Sequence, residues 1–371
     1  MNERCLFFFI FAAMKNAEFT QKLMHWHSNE NKREMPWKGE KDPYRIWLSE
    51  VILQQTRVEQ GWSYYEKFIT TYPTIKDLAK TADEEAFKLW EGLGYYNRCK
   101  NLLFTARHIA QEYNGQFPTD YETILSLKGI GPYTAAAIAS FAFNLPYAVV
   151  DGNVFRVLSR YFGIDKAIDS TEGIKTFTAL ANSLIDRQHA GLYNQAIMDF
   201  GATVCKPALP LCNTCALEKN CVAHNKGIVN HLPVKEKLLK KKNRWFSWFI
   251  LQHKGDVFIT KRTARDIWQN LHEFYLVETD ERPEWTSTSV SEVLLNQLGI
   301  KKVTLQQVSP VFTQQLTHQT IRSYFLRAEI SSVPSTLKEY TRTNLPGLKQ
   351  FAFPGIINQY LQTPSLQSTL F

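Results

Sequence analysis

The chain has 371 residues, 44% of them hydrophobic, which is enough for two or three domains with cores of their own. Its formal net charge is +8 and its isoelectric point is about 9.0, a balance that favours a polyanionic partner. No stretch reaches the roughly 20 apolar residues of a transmembrane helix, so we expect no membrane-spanning segment.

The N-terminus carries a short apolar run, LFFFIFAAM, which Arg4 and Cys5 precede. The run is similar to a signal-peptide core, but no clear cleavage site follows it. We therefore expect residues 1–14 to be an unstructured leader or a misassigned start, with Met14 as the alternative first residue.

The segment DPYRIWLSEVILQQT predicts a helix that begins after Asp42, with Pro43 at its first position. Ile46, Glu50 and Leu53 recur at helical spacing, so Glu50 lies on an apolar stripe. A carboxyl group there loses hydration and its pKa rises, as a general acid at neutral pH requires. The structural alternative is a glutamate paired with a core arginine or tyrosine.

The polar run Gln54-Gln55-Thr56 follows on the next helical positions. We expect it to continue the helix and to direct at least one amide toward whatever Glu50 faces.

The segment WEGLGYYNR predicts a turn at Gly92 and Gly94, from which Tyr95 and Tyr96 project as adjacent aromatics. Two interpretations stay open: ordinary core packing, or stacking and wedging against nucleobases.

The segment LKGIGPYTAAAI predicts a tight turn at Gly129 and Gly131, followed by a helix with Pro132 at its first position. The N-terminus of such a helix presents free N–H groups and suits a phosphate. A plain corner between two helices is the alternative, because a Gly-x-Gly pattern alone is weak.

Asp151 stands before the helical segment GNVFRVLSR, in the position of an N-cap. A capping carboxylate is the structural interpretation. The N–H bonds of a cap also favour the ionised form, which could stabilise a cation developing on a sugar if a proton donor came from elsewhere.

Four cysteines, Cys205, Cys212, Cys215 and Cys221, have the spacing C-x6-C-x2-C-x5-C. This spacing favours a metal site over two disulfides. Zinc and an iron–sulfur cluster both accept four thiolates, so the spacing leaves both open.

Beyond a basic linker the hydrophobic pattern changes to period two. WFSWFILQ and VFITKR predict a β-hairpin around Lys254-Gly255, and HEFYLVET, VTLQQV and IRSYFLRAEI predict further strands. SEVLLNQLGI is the one clear helix, so residues 244–363 are expected to form a separate α+β domain.

The motifs together match a known family. MPW, LSEVILQQTRV, WEGLGYYNR, LKGIGPYTAAAI, VVDGNVFRVLSR, YNQAIMDFGA and the four cysteines occur in family order over about residues 18–225. In these segments the chain resembles the MutY-type adenine DNA glycosylases, a branch of the helix–hairpin–helix superfamily that includes endonuclease III. The C-terminal domain matches more loosely.

The resemblance implies a mostly α N-terminal region, with two helical subdomains and an iron–sulfur loop, followed by an α+β Nudix-like domain. We expect a leader at 1–14, a catalytic region at 15–228 with a cluster loop at 205–221, a basic linker at 229–243, a lesion-recognition domain at 244–363 and a tail at 364–371.

The resemblance also implies hydrolysis of the N-glycosidic bond of adenine mispaired with 8-oxoguanine or guanine. Glu50 resembles the family's general acid, which protonates adenine at N7, and Asp151 resembles the carboxylate that stabilises the oxocarbenium-like sugar. Tyr133 and Asn153 resemble supporting active-site residues.

Further positions match the family's contacts with DNA. Gln55 and Tyr95 resemble side chains that enter the base stack, and Gly129 and Gly131 form the expected phosphate-binding turn. Adenine-pocket positions are matched by Gln195, Arg33 and Trp37.

Tyr133 also separates this chain from endonuclease III-type enzymes, which have a lysine there. That amine forms a Schiff base with the sugar and cuts the strand. A tyrosine cannot, so we expect a monofunctional glycosylase that leaves an abasic site.

The C-terminal domain resembles a Nudix fold without its Glu-rich metal box. In the family a Phe-Ser-His loop recognises 8-oxoguanine, and this chain has Leu316-Thr317-His318, with no aromatic residue. We expect lesion recognition to depend on His318 and the Thr317 hydroxyl.

The resemblance assigns a [4Fe–4S] cluster to the four cysteines and double-stranded DNA with an adenine–8-oxoguanine mispair as partner. Residues 367–371, QSTLF, are similar to peptides that bind the bacterial sliding clamp. A monomer in the bacterial cytoplasm, associated with the nucleoid, is expected.

Three other functions stay open: a glycosylase for another base, such as thymine opposite guanine; a bifunctional endonuclease III-like lyase; and a DNA-binding or redox iron–sulfur protein without catalysis.

Overall fold

The computed structural model describes the backbone of residues 3–237 and 241–363, and side chains from Asn16 onward within those ranges. The described chain divides into two compact units: residues 3–80 with 101–237, and residues 81–100 with 241–363. The division differs from the expected contiguous region 15–228, because residues 81–100 group with the C-terminal unit.

The helices up to residue 237 are α1 Glu3–Asn29, α2 Pro43–Leu53, α3 Val58–Thr71, α4 Ile75–Lys80, α5 Asp83–Leu89, α6 Asn97–Glu112, α7 Tyr121–Ser126, α8 Pro132–Phe143, α9 Gly152–Phe162, α10 Thr171–Leu184, α11 Ala190–Thr203 and α12 Val222–Asn225. Short 3₁₀ turns at Cys212–Thr214, Glu218–Asn220 and Val229–His231 complete this part. Among all helices that the structure describes, none is long and apolar enough to cross a membrane.

Helix α1 runs without a break from Glu3 and so includes most of the segment 1–14 that was expected to be unstructured. The alternative, a misassigned start, stays a prediction. Neither proline nor glycine interrupts this segment. In its second half, Phe19, Leu23 and Trp26 recur at helical spacing and are buried in the core formed with α9, α10 and α11.

Helix α8 contacts α11 closely because its buried face is made of small residues. Ala135, Ala136, Ala137, Ala139 and Ser140 are all buried. A Cβ atom at Gly191 of α11 would lie 2.7 Å from the Ser140 carbonyl oxygen, so only glycine fits there.

The predicted helix starts are confirmed. Asp42 accepts a hydrogen bond from the Tyr44 N–H, Pro132 is the first residue of α8, and Asp151 caps α9. The predicted helical continuation at 54–56 is wrong: α2 ends at Leu53, and Gln55 has a φ of +57°.

The strands are β1 Lys242–His253, β2 Asp256–Lys261, β3 His272–Glu273, β4 Tyr275–Thr279, β5 Val303–Val308, β6 Phe312–Gln315, β7 Gln319–Ile330 and β8 Thr341–Asn344, with helices α13 Ser287–Leu298 and α14 Gly355–Leu361. The strand order is β3-β2-β1-β7-β5, with β4 paired to β1, β6 to β7 and β8 to β2.

The two long strands β1 and β7 pair in parallel and are covered on both faces. On one face, Phe249 and Leu326 pack with Leu294 of α13. On the other face, the Phe325 ring stacks on Tyr360 of α14, with centroids 4.1 Å apart. Burial on both sides explains why WFSWFIL reads as a continuous apolar run.

The predicted hairpin is confirmed, since β1 and β2 pair around Lys254 and Gly255, both with positive φ. The sequence did not predict β6, β8 or α14, so α13 is not the one helix of this unit.

Adjacent leucines on α13 allow a matched test of the core. Leu294 is fully buried and Leu295 is 49% exposed. We expect Leu294→Ala to lower the free energy of unfolding by about 2–5 kcal/mol, because it leaves a cavity. Leu295→Ala should change it by less than about 0.5 kcal/mol. Denaturant unfolding followed by circular dichroism measures both, and equal effects would contradict the packing of α13.

Candidate active site

The side chain of Glu50 is held inside the first unit by α2, whose residues from Ile46 to Ile52 are all buried. Only 6% of Glu50 is exposed. Burial, assisted by the negative charge of Asp151, raises the pKa of Glu50 to about 7. The elevated pKa predicted from the apolar stripe is thus confirmed.

Tyr133, in the first turn of α8, donates its hydroxyl to the Glu50 carboxyl group. Burial and the negative charges of Glu50 and Asp151 raise the pKa of Tyr133 well above its usual value. The hydroxyl therefore stays protonated and remains a donor.

The Asp151 carboxylate accepts three hydrogen bonds at the start of α9. Its Oδ1 accepts from the backbone N–H groups of Asn153 at 2.9 Å and Val154 at 2.8 Å, and its Oδ2 accepts from Asn153 Nδ2 at 2.7 Å. Burial nevertheless raises the pKa of Asp151 above its usual range. The three donors and Arg156 oppose this shift and favour the ionised form, as expected of a capping carboxylate.

Arg156, which was not predicted from the sequence, holds the Asn153 side chain by a hydrogen bond. Its Nη2 donates to Asn153 Oδ1 at 2.8 Å and to the Gly201 carbonyl at 2.7 Å, and its Nε donates to the Cys205 carbonyl at 2.7 Å. The spacing of three residues between Asn153 and Arg156, which places both on one helix face, is the signal that could have found it.

One cavity of about 890 Å³ in the first unit collects most of the predicted site residues. They are Glu50, Asp151, Tyr133, Asn153, Gln55, Gly129, Gly131, Gln195, Arg33 and Trp37. The other predicted contacts, Tyr95 and residues 316–318, belong to the second unit.

Asp199 is a second residue that the sequence analysis missed. It is fully buried and accepts hydrogen bonds from Arg33 Nη1 at 2.8 Å, Asn31 Nδ2 at 2.8 Å and Gln195 Nε2 at 2.9 Å. It therefore fixes two side chains of the cavity wall. Its position four residues after Gln195 on α11 is the signal in the sequence.

The two glycines of the turn before α8 differ in whether a side chain would fit at their position. Gly129 has a φ of +81°, and a Cβ atom there would lie 2.6 Å from Asn101 Cβ. A Cβ atom at Gly131 would meet nothing within 4 Å. Gly131 caps α8 without a side-chain hydrogen bond, so the helix N-terminus has room for an anion.

The four cysteines line a single cavity together with Arg160, and none forms a disulfide. Arg160 Nη1 lies 3.5 Å from Cys205 Sγ, and Cys221 Sγ donates to the Arg160 carbonyl at 3.5 Å. Among the described residues, no group of three or more His, Cys, Asp or Glu side chains has the arrangement of a metal site. Four thiols around one cavity are nevertheless a donor set that both an iron–sulfur cluster and zinc accept.

In the second unit, Leu316, Thr317 and His318 form the turn between β6 and β7, and His318 is exposed. The Tyr95 hydroxyl lies 2.5 Å from Thr317 Oγ1. Tyr95 is 45% exposed, whereas Tyr96 is buried and stacks on Phe87. Only one of the two predicted aromatics therefore projects from the turn.

Two family models match the chain: "HhH-GPD superfamily base excision DNA repair protein" over residues 48–181, and "NUDIX domain" over residues 247–363. A solved thermostable thymine-DNA glycosylase is 32% identical with a TM-score of 0.53, covering 57% of this chain and 98% of its own. Fold and site together define a helix–hairpin–helix DNA glycosylase with a Nudix-like domain.

Curated relatives show which kind of DNA glycosylase the chain is similar to. The adenine DNA glycosylase of Buchnera aphidicola subsp. Baizongia pistaciae is 35% identical over 312 residues, which cover 83% of this chain and 85% of that protein. The human adenine DNA glycosylase is 42% identical over 217 residues, which cover 56% of this chain and 40% of that protein. The chain belongs to the adenine DNA glycosylase family, whose members hydrolyse the N-glycosyl bond of adenine in base excision repair.

The raised pKa of Glu50 predicts the pH dependence of both activity and stability. Excision should fall as pH rises through about 7, because an acid must hold its proton. As pH rises from 4.5 to about 7, the unfolded chain loses this proton while the folded protein keeps it. The free energy of unfolding therefore falls as pH rises over that window.

Glu50→Gln tests this assignment. We expect no excision at any pH, and at pH 8 a free energy of unfolding about 3 kcal/mol above that of the wild type, because no buried carboxylate must ionise. At pH 4 the two proteins should be about equally stable. Single-turnover excision and denaturant unfolding at both pH values measure this, and a variant with full activity would show that Glu50 is not the acid.

Proposed function

We propose that the enzyme removes adenine mispaired with 8-oxoguanine and leaves an abasic site without cutting the strand. The observation that carries the proposal is the meeting of Glu50, Tyr133 and Asp151 in one cavity of about 890 Å³. A flipped nucleobase needs a pocket outside the duplex to receive it, since the reaction cannot proceed inside the stack.

Glu50 is the general acid of the proposed reaction. Adenine leaves poorly as an anion, so its N7 receives the Glu50 proton as the glycosidic bond breaks. With a pKa of about 7, Glu50 carries this proton in an appreciable fraction of molecules at neutral pH. The Tyr133 hydroxyl orients the carboxyl group through its hydrogen bond.

Asp151 is the anion that faces the developing sugar cation. Its three N–H donors and the nearby Arg156 favour the ionised form, while Glu50 has the single Tyr133 donor. This difference in hydrogen bonding gives two carboxyl groups in one cavity different tasks.

Tyr133 is the reason for proposing a glycosylase that does not cut the DNA strand. It stands where endonuclease III-type enzymes have the lysine of the Schiff base, and a phenol cannot form that adduct. Water therefore adds to the anomeric carbon of the sugar after adenine has left, and the abasic sugar stays in an intact DNA backbone.

The rest of the cavity would hold the adenine and its strand. Asp199 positions Arg33 and Gln195, which with Trp37 form the proposed base pocket. The turn at Gly129 and Gly131 binds a phosphate, and Gln55 enters the base stack. Tyr95, in the second unit, is a separate candidate for stacking against a base.

The turn Leu316-Thr317-His318 is the proposed reader of 8-oxoguanine. His318 is exposed on the turn and offers hydrogen-bonding nitrogens, and Thr317 offers a hydroxyl. Leu316 replaces the family's aromatic, so stacking at that position is reduced to an aliphatic contact.

We assign a [4Fe–4S] cluster to Cys205, Cys212, Cys215 and Cys221. When bound, the cluster would crosslink the loop at 205–221 and hold its basic residues toward the DNA backbone. Arg160 would offer a hydrogen bond to the Cys205 sulfur. The protein would act as a monomer in the bacterial cytoplasm; the proposed clamp peptide at 367–371 lies outside the described residues.

A second substrate, thymine opposite guanine, is favoured by one observation, the likeness to the solved thymine-DNA glycosylase. Tyr133 is compatible with both substrates.

Strand cleavage separates the alternatives. We expect a duplex with one adenine opposite 8-oxoguanine to be cut at that adenine only after hot alkali, because Tyr133 leaves an intact abasic site. Matched duplexes with adenine–guanine and thymine–guanine pairs are the controls. Cleavage without alkali would indicate a lyase, and preferred processing of thymine would support the second substrate.

His318→Ala should weaken the preference for 8-oxoguanine over guanine about tenfold, the effect of losing a specific hydrogen bond. Single-turnover rates and affinities for the two duplexes measure the preference. An unchanged preference would remove this turn from lesion reading.

The metal content tests the cluster. We expect the purified protein to show visible absorption and the iron content of one [4Fe–4S] cluster per chain, and Cys215→Ser to lose iron and thermal stability together, because structural metal sites stabilise the fold. Cys99→Ser is the matched control, since Cys99 lies outside the four-cysteine loop. A colourless protein that carries zinc would contradict the assignment.

A further inference from the structure

We propose that Glu91 is a positioning residue that sets the discrimination of the base opposite adenine, by fixing the loop of Tyr95 against the 316–318 turn. This inference rests on the proposed reading of 8-oxoguanine by that turn. It is built entirely from contacts inside the second unit.

The loop that carries Tyr95 is fixed in an unusual conformation. Gly92, Gly94 and Tyr95 have φ values of +92°, +79° and +48°. A bulky side chain at positive φ is strained and persists only where its surroundings determine it. The Gly94 carbonyl accepts from Trp90 Nε1 at 2.9 Å and from Arg98 Nη2 at 3.2 Å, which supplies part of that restraint.

Glu91 attaches this loop to the start of α14. Its Oε1 accepts from the Phe353 N–H and from Asn358 Nδ2, both at 2.8 Å. Its Oε2 lies 2.6 Å from Lys88 Nζ, and the same Lys88 ammonium donates to the Phe351 carbonyl at 2.9 Å. The Glu91 side chain is only 17% exposed, so water competes weakly for these bonds.

The same helix is tied to the strand that leads into the reading turn. The Ile356 N–H donates to Gln314 Oε1 at 3.0 Å, and Gln314 lies in β6, directly before Leu316-Thr317-His318. The helix α14 therefore holds the Tyr95 loop through Glu91 and the reading turn through Gln314.

The two attached segments meet at their tips, where the Tyr95 hydroxyl lies 2.5 Å from Thr317 Oγ1. The Tyr95 ring, which is 45% exposed, thus lies beside the half-buried Thr317, and the exposed His318 follows Thr317 in the same turn. Because the Tyr95 ring comes from a segment distant in sequence, its distance from His318 depends on the Glu91 attachment.

The test compares Glu91→Ala with Glu91→Gln. We expect Glu91→Ala to reduce the preference for 8-oxoguanine over guanine about tenfold, the loss of a charge-assisted hydrogen bond, through affinity or KM rather than through kcat at saturation. Glu91→Gln keeps an oxygen acceptor for Phe353 and Asn358 and should retain most of the preference.

Glu84→Ala is the matched control. Glu84 lies on the same segment and pairs with Lys261 at 2.7 Å, but their side chains are 59% and 34% exposed, so its loss should change the preference less than about twofold. Amide hydrogen exchange over residues 91–98 should accelerate in Glu91→Ala and not in Glu84→Ala.

The outcomes separate this inference from the proposed function. A wild type without preference for 8-oxoguanine would overturn the reading role of the turn itself. A discriminating wild type whose preference and amide exchange are unchanged in Glu91→Ala would overturn the positioning role of Glu91 alone. Equal losses in the alanine and glutamine variants would also overturn it, since the glutamine retains the acceptor.

Discussion

The hydrogen bond from the Tyr133 hydroxyl to the buried Glu50 carboxyl group joins α2 to the first turn of α8 inside the cavity. A carboxyl group that has lost its hydration is costly unless it is protonated or hydrogen-bonded, and here both conditions meet. The position of Tyr133 depends in turn on the small residues of α8, which allow the helix to approach α11. Packing of alanines and glycines thus determines where the proton is held.

The same packing explains how Asp151 enters the cavity. It follows α8 in the chain and caps α9, so its position is fixed by two helix ends rather than by its own side chain. Arg156 then extends the polar contacts from Asn153 to the backbone at Cys205. The loop of the four cysteines is therefore continuous with the active site through one buried guanidinium group.

Much of this could be predicted from local sequence, because helix starts depend on nearby residues: Asp42, Pro132 and Asp151 all lie where their side chains predict. The apolar stripe also predicted the burial of Glu50. The end of α2 could not be predicted, since the positive φ of Gln55 has no glycine to indicate it. Asp199 was missed because two of its three partners, Asn31 and Arg33, lie far from it in the chain. The parallel pairing of β1 and β7 was likewise invisible, since register between distant strands leaves no local pattern.

The second unit has the Nudix architecture, and its buried charged side chains form hydrogen bonds and ion pairs around the loop that follows β2. Arg262 donates to Glu273 at 2.5 Å, Arg244 pairs with Asp266 at 2.8 Å, and Trp248 Nε1 donates to Glu273 at 3.1 Å. Buried charges of this kind add little net stability, but they favour one conformation over its alternatives. Its helix α13 carries a single glutamate, Glu292.

The division of the second unit into two chain segments has a consequence for biosynthesis. Glu91 finds its partner Asn358 267 residues later in the chain. Since a ribosome releases the chain from its N-terminus, residues 81–100 emerge long before the later segment of this unit. Until then Glu91 cannot bond to Phe353 and Asn358, and Tyr95 cannot reach Thr317. Completion of the second unit is therefore a late event in synthesis of the chain.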